Sequence, residues 1–305
     1  MNQPSPPDRP LPVTIEQYLQ QLRQALKGAD PALIQDALYD AEEYLRSELA
    51  EQPGRDQAEV IASVAGSYGA PEEVAQIYLE TEVTVNRALR GPVPAAAPAA
   101  DGLLRRMFGV YTDPVTYGAL FYLLLSLWTG VFYFTWAVVG ASLSVSLLIL
   151  IIGVPLLVLF LGSIRALAFI EGRMVEVLLG VRMPRRSNWQ DPQTPWLKRI
   201  GAMFTDPRSW ATLVYFLLML PLGTLYFSVM VTGLSVSLTT LAAPLLSLFG
   251  NGGVYVGGID LLEHLWSWPL LMLAGAVMLT VTLHLARGLG RLHGQLAKHL
   301  LVRHG

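Results

Sequence analysis

Cysteine is absent from all 305 residues, which excludes disulfide staples, thiolate metal sites and a cysteine nucleophile. Charge is scarce as well. Only 14% of the residues are Asp, Glu, Lys or Arg, against 53% hydrophobic, a balance too apolar for a soluble globular chain. The mean hydropathy of +0.45 agrees. The little charge there is falls unevenly: up to Ala100 there are 15 acidic and 7 basic residues, and from Asp101 onward 8 acidic and 14 basic. These net charges of −8 and +6 mark two physically different parts. A Walker A loop, a Gly-x-Ser-x-Gly elbow, a His-Glu-x-x-His pair and a dinucleotide fingerprint are all missing. The expectation is therefore not an enzyme, with no cofactor. The histidines at 264, 284, 293, 299 and 304 share no ligand spacing; a surface or interfacial place is expected for them, and no metal is assigned.

The first third reads as small helices. Five prolines in residues 1–13 and no apolar core of a signal peptide suggest a disordered leader. Thr14 and Gln17 have capping-box spacing, Leu19, Leu22 and Leu26 repeat at helical intervals, and Gly28 suits a left-handed C′ position. Asp30 before Pro31 opens a second helix, and two weaker helices follow near Gln57 and Pro71. Such short helices need one another, so a four-helix bundle over 14–90 is expected. Glu42, Glu43, Glu72 and Glu73 read first as a solvated acidic face, with Glu42 and Glu43 also a candidate docking face for the basic segment Arg182–Lys198. The stretch "GPVPAAAPAADG", 91–102, is a Pro/Ala linker.

The remaining two thirds are a duplication. "TDPVTYGALFYLLLSLWTGVFYF" from Thr112 aligns without a gap to "TDPRSWATLVYFLLMLPLGTLYF" from Thr205. "RALAFIEGRMVEVLLGVR" from Arg165 matches "RGLGRLHGQLAKHLLVR" from Arg287, with about 30 extra residues in the second copy, around 250–266. Charge-free runs of 51 residues lie between Asp113 and Arg165 and between Arg208 and Asp260, each too long for one span of about 20 residues. Repeat 1 (103–186) is expected to hold spans near 116–138 and 144–164, dividing at "GASLSVS". Repeat 2 (187–305) is expected to hold spans near 210–232 and 267–286, with an outer extension and loop at 234–266. The fold class is all-α: a soluble four-helix bundle followed by a four-span membrane domain.

With four spans, every basic residue from Arg105 to Arg303 falls on one side. That makes both termini cytoplasmic, the repeats parallel about an axis along the membrane normal, and both hairpin tips external. The chain is expected to be a multi-pass membrane protein.

The segments "IEQYLQQLRQAL", "DALYDAEEYLRSELAE" and "YGAPEEVAQIYL" resemble the HAAS-type helical signalling domain of bacteria, Ala70 departing from the usual aspartate cap. The duplicated unit, with "LPLGTLYFSVMVTGLSVSLTTLAAPLL" and its two exit helices, resembles the membrane Sensor domain of bacterial histidine kinases, here without a kinase module. These resemblances imply a signalling protein of the bacterial inner membrane that acts through a cytoplasmic regulator or kinase.

The matched residues of the two copies supply the candidate site. Asp113 and Asp206 precede prolines and read as helix caps. Arg165 and Arg287 stand where each unit leaves the bilayer, as lipid-phosphate anchors or as levers coupling the hairpins to the cytoplasm. Tyr133 with Tyr226 and Phe134 with Phe227 are core packing or the lining of a pocket between hairpins. Pro155 and Pro221 are kinks or tolerated prolines. Membrane lipids are expected partners, nucleic acid is not, and a homo-oligomer stays open. A small transporter or lipid-handling protein is the alternative, weakened because the spans hold no Asp, Glu, Lys or Arg, and an accessory or assembly subunit, in which the same residues serve only packing, is a further one.

Overall fold

A computed structural model describes residues 12–89, 108–150, 153–184, 201, 205–250, 254–256 and 258–302. The leader and the Pro/Ala linker lie almost entirely outside the described residues, as does the basic segment from 185. The chain divides into two compact units.

Among the described residues the N-terminal unit has four helices: α1 (Ile15–Ala25), α2 (Pro31–Glu51), α3 (Gln57–Ser67) and α4 (Pro71–Leu89). Thr14 Oγ1 accepts the Gln17 N–H, and Gln17 Oε1 accepts the Val13 N–H. Asp30 caps α2 through the Ala32 N–H, ahead of Pro31 at the first position. Gly28 is left-handed, with φ +95°, two residues after the cap at Leu26 rather than directly after it. At α4 the alanine lacks a capping side chain, and the Glu73 carboxylate reaches back to accept the Ala70 N–H at 3.1 Å. One core of Ile15, Tyr18, Leu22, Leu33, Leu45 and Ile61 joins the helices. Its polar ties are long-range. Tyr18 donates to the Gly69 carbonyl, and Tyr78 donates to Asp40 at 2.7 Å. Glu42 pairs with Arg46 one turn on, and Glu43 is exposed.

The second unit is built from four long apolar helices: α5 (Pro114–Ser146), α6 (Gly153–Leu179), α7 (Pro207–Ser247) and α8 (Ser267–Leu301). All four are long and apolar enough to cross a membrane. Their bounds exceed the expected spans. The turn between α5 and α6 comes at Leu147–Ile149, beyond "GASLSVS", since a backbone surrounded by lipid has only its own helix to satisfy it. Most of the segment 234–249 continues α7, which passes Pro221 and Pro244 without a break and ends at Ser247. Pro155 sits in the first turn of α6, where a missing N–H costs nothing. The insertion at the second hairpin tip holds a two-residue antiparallel ladder, β1 (Tyr255–Val256) with β2 (Ile259–Asp260), tightened by Asp260, which accepts from Val254 and Leu262.

The direction of the repeats differs from the sequence expectation. As α5 advances from Ser126 to Gly130 to Tyr133, its partners on α7 recede from Gly223 to Met219 to Phe216. The equivalent helices α5 and α7 are thus antiparallel. Contacts of α8 advance together with those of α5, from Arg287 on Asp113 to Gly290 on Ala119 to His293 on Tyr122. Likewise α6 runs with α7, from Arg165 on Asp206 to Glu171 on Tyr215. The pseudo-two-fold axis therefore lies across the helices, which makes the duplication an inverted one, and the two hairpin tips point to opposite ends of the unit. The parallel arrangement inferred from the arginine count is corrected by these contacts. Their physical basis is close packing: a Cβ on Gly130 would lie 2.4 Å from the Met219 carbonyl oxygen, and one on Gly223 2.1 Å from that of Ser126. Small residues let helix backbones approach this closely.

Candidate functional site

Where α5, α6, α7 and α8 meet, the core is polar. Tyr122 on α5 donates to Glu171 Oε1 at 2.5 Å, Tyr215 on α7 donates to the same oxygen at 2.8 Å, and Tyr133 donates to Oε2 at 3.0 Å. The Tyr122 and Tyr215 oxygens also lie 2.6 and 3.0 Å from His293 Nε2. Tyr226 sets its ring edge against the imidazole, 5.5 Å between centroids. Glu171, Tyr215 and His293 are 0% exposed, so this network has no bulk water to exchange with.

Symmetry built it. In the sequence alignment of the two copies Tyr122 falls on Tyr215, Tyr133 on Tyr226 and Glu171 on His293. The axis that brings Gly130 and Gly223 together thus brings together three pairs of titratable side chains. One pair has diverged into a carboxyl and an imidazole.

The hydrogen bonds constrain the protons. A carboxylate offers about four acceptor sites and no donor, so three phenols pointing at Glu171 suit its ionised form. With both bridging phenols spent on Glu171, His293 Nε2 must carry the imidazole proton and donate toward their oxygens. His293 Nδ1 is then a bare acceptor, and among the described residues it has no hydrogen-bond partner. Each charge-assisted bond contributes about 1.5–3 kcal/mol, which is what offsets the cost of burying a carboxylate.

Above and below this junction stand the capping aspartates and exit arginines, and they too are exchanged between copies. Arg165 of repeat 1 pairs with Asp206 of repeat 2 at 3.1 Å and reaches Ser209, while Arg287 of repeat 2 pairs with Asp113 of repeat 1 at 3.1 Å. Both aspartates also cap their helices, accepting from Val115 and Arg208. The candidate arginines and the candidate caps are one set of contacts. Tyr133 and Tyr226 lie inside the junction, whereas Phe134 and Phe227 are half-buried. A cavity of about 370 Å³ lies elsewhere, between α5 and α6, lined by Phe132, Trp136, Gly140, Leu159, Phe160 and Ser163.

Two expectations are corrected. His293 is buried rather than interfacial, although His264, His284 and His299 are exposed. The long apolar helices do hold an acid, Glu171 of α6, in a stretch whose sequence pattern is that of an amphipathic exit segment. The signal was present in the alignment, where tyrosines and titratable residues occupy equivalent positions. Among the described residues no three His, Asp or Glu side chains converge as a metal set.

Comparison with known families finds two matches. The model of the Sensor family matches residues 122–301, and that of HAAS matches residues 17–77. No curated protein and no solved structure matches the chain.

Proposed function

The chain belongs to the Sensor family, with a HAAS domain ahead of it, and on that premise we propose that this membrane signalling protein relays a membrane or envelope condition to a cytoplasmic regulator or kinase through the HAAS helices. The observation that carries the reading is the junction at Glu171 and His293. A bundle joined at its centre by one shared hydrogen-bond network, and toward its ends by two exchanged ion pairs, has discrete alternative packings rather than a continuous range. A stimulus that favours one packing shifts the population. The Arg165–Asp206 and Arg287–Asp113 pairs are the contacts through which such a shift passes from α6 and α8 to the capped starts of α7 and α5. The families matched are signalling domains, and the role assigned to the chain is regulatory.

Affinity purification of the full chain from its native bacterial membrane tests this, with a version lacking residues 14–90 as comparison. Capture of a transcription regulator or kinase that disappears with the HAAS helices supports the relay. Equal capture by both versions removes it. A second reading, a small transporter, gains from Glu171 and from the inverted repeat, since ionisable groups at a repeat interface recur in transporters. Uptake of protons or lipid by sealed proteoliposomes above that of protein-free vesicles would favour it.

A further inference from the structure

Resting on the sensor reading, we propose that the Glu171–Tyr122–Tyr215–His293 network is a binding site for a single proton, and that its occupancy decides how the two repeats pack. Proton counting within the network carries the proposal. Four protons are present in the arrangement described, on Tyr122, Tyr133, Tyr215 and His293 Nε2, and each faces an acceptor. A fifth proton has two places to go. On His293 Nδ1 it becomes a buried donor facing no acceptor, because among the described residues that nitrogen has no partner. On Glu171 it turns an acceptor into a donor where three phenols already point, and one phenol must turn away. Either way one buried donor is left unmatched, and an unmatched buried donor costs more than a hydrogen bond contributes. The added proton also takes the network from a net charge of −1 to neutral, with no other species consumed. The protonated bundle is therefore driven to a different packing, in which one repeat shifts against the other to find the missing acceptor.

The groups facing this site come from all four helices: Tyr122 and Tyr133 from α5, Glu171 from α6, Tyr215 and Tyr226 from α7, and His293 from α8. Beyond Glu171 on α6, Arg173 and Glu176 form an ion pair with each other. Arg165 and Arg287, six residues before the acid and the imidazole, are held by Asp206 and Asp113. Glu171 and His293 are thus the pair whose proton count the packing depends on.

The absence of cysteine makes a direct test simple. Spin labels on cysteines introduced at Val177 of α6 and Leu292 of α8, both exposed, report the distance between these helices in the full chain reconstituted in lipid nanodiscs. Across roughly pH 5 to pH 9, the range in which a paired carboxyl and imidazole exchange protons, the distance distribution should pass between two populations along a one-proton curve. Glu171→Gln and His293→Gln should each abolish that dependence, and Leu292 labelled against Tyr255 should show none. A wild-type distribution that is constant across the range overturns the proposal, as does a transition that survives both substitutions. Should Glu171→Gln fail to fold, Tyr122→Phe, which removes one bridging proton, must move the midpoint; an unmoved midpoint overturns it. The relay fails separately: a pH-dependent distance with no HAAS-dependent partner keeps the proton site and removes the relay, and the converse result removes only the proton site.

Discussion

Gly130 and Gly223 are the same position in the two copies, and each receives the other copy's backbone where a side chain would otherwise stand, the Met219 carbonyl over Gly130 and the Ser126 carbonyl over Gly223. Ser126 Oγ, turned toward the Gly223 carbonyl at 3.4 Å, lies in the same contact. This crossing sets the spacing of α5 and α7, and with it the reach of Tyr122 and Tyr215 to one carboxylate.

Gly130→Ala or Gly223→Ala is therefore expected to push the repeats apart, because the obstructing atoms are backbone and cannot rotate away. Overpacking of this kind costs about 1–3 kcal/mol. Thermal unfolding in detergent should fall for each variant. Gly162→Ala, which meets nothing within 4 Å, should not lower it, since alanine is favoured over glycine inside a helix by up to about 1 kcal/mol. Equal melting of all three would show that the close crossing does not exist.

Inverted repeats have a topological consequence. Single cysteines at Ile149, on the tip of the first hairpin, and at Tyr255, on the tip of the second, are both exposed in the structure. Against an impermeant thiol reagent on intact cells, one tip should label and the other should not. Labelling of both would restore the parallel arrangement expected from the arginine distribution.

The exchanged ion pairs separate into two contributions. Asp206→Asn keeps a capping oxygen and loses the charge facing Arg165, whereas Asp206→Ala loses both. The side chains are about one third exposed, so the charge is expected to contribute roughly 0.5 kcal/mol and the cap about 1 kcal/mol. Stability measured for wild type, Asn and Ala should fall in two steps, the second the larger. A single step at Asn would mean that the ion pair, not the cap, dominates.

In the HAAS unit, burial raises the Tyr18 and Tyr78 hydroxyls above their usual value, and for Tyr78 the hydrogen bond to Asp40 adds to it. A phenol whose value is higher folded than unfolded stabilises the fold fully below the unfolded value, near 10, and loses that contribution as the pH climbs toward the folded value. Residues 1–95 expressed alone should fold, melt cooperatively near neutral pH and lose stability above about pH 10. Tyr78→Phe should flatten that alkaline loss. A coil-like spectrum at neutral pH would show that the unit does not fold alone.

The amino-acid order by itself determined the local and compositional features. Thr14, Asp30, Asp113 and Asp206 announce their helices because a cap acts within three residues. The long uncharged runs announce membrane helices because hydropathy needs no partner, and the duplication is plain wherever the two copies still share residues. Contacts between copies were decided by tertiary structure alone. Charge counting assigns every arginine to the surface, yet Arg165 and Arg287 are matched by aspartates of the opposite repeat, which only packing brings within 3.1 Å. Glu171 and His293 look like solvated exit-helix residues because helical periodicity says which face a residue occupies and nothing of what covers that face. The cover is α5 and α7, drawn together at Gly130 and Gly223, and the meeting of four helices there turns two ordinary polar residues into one buried site.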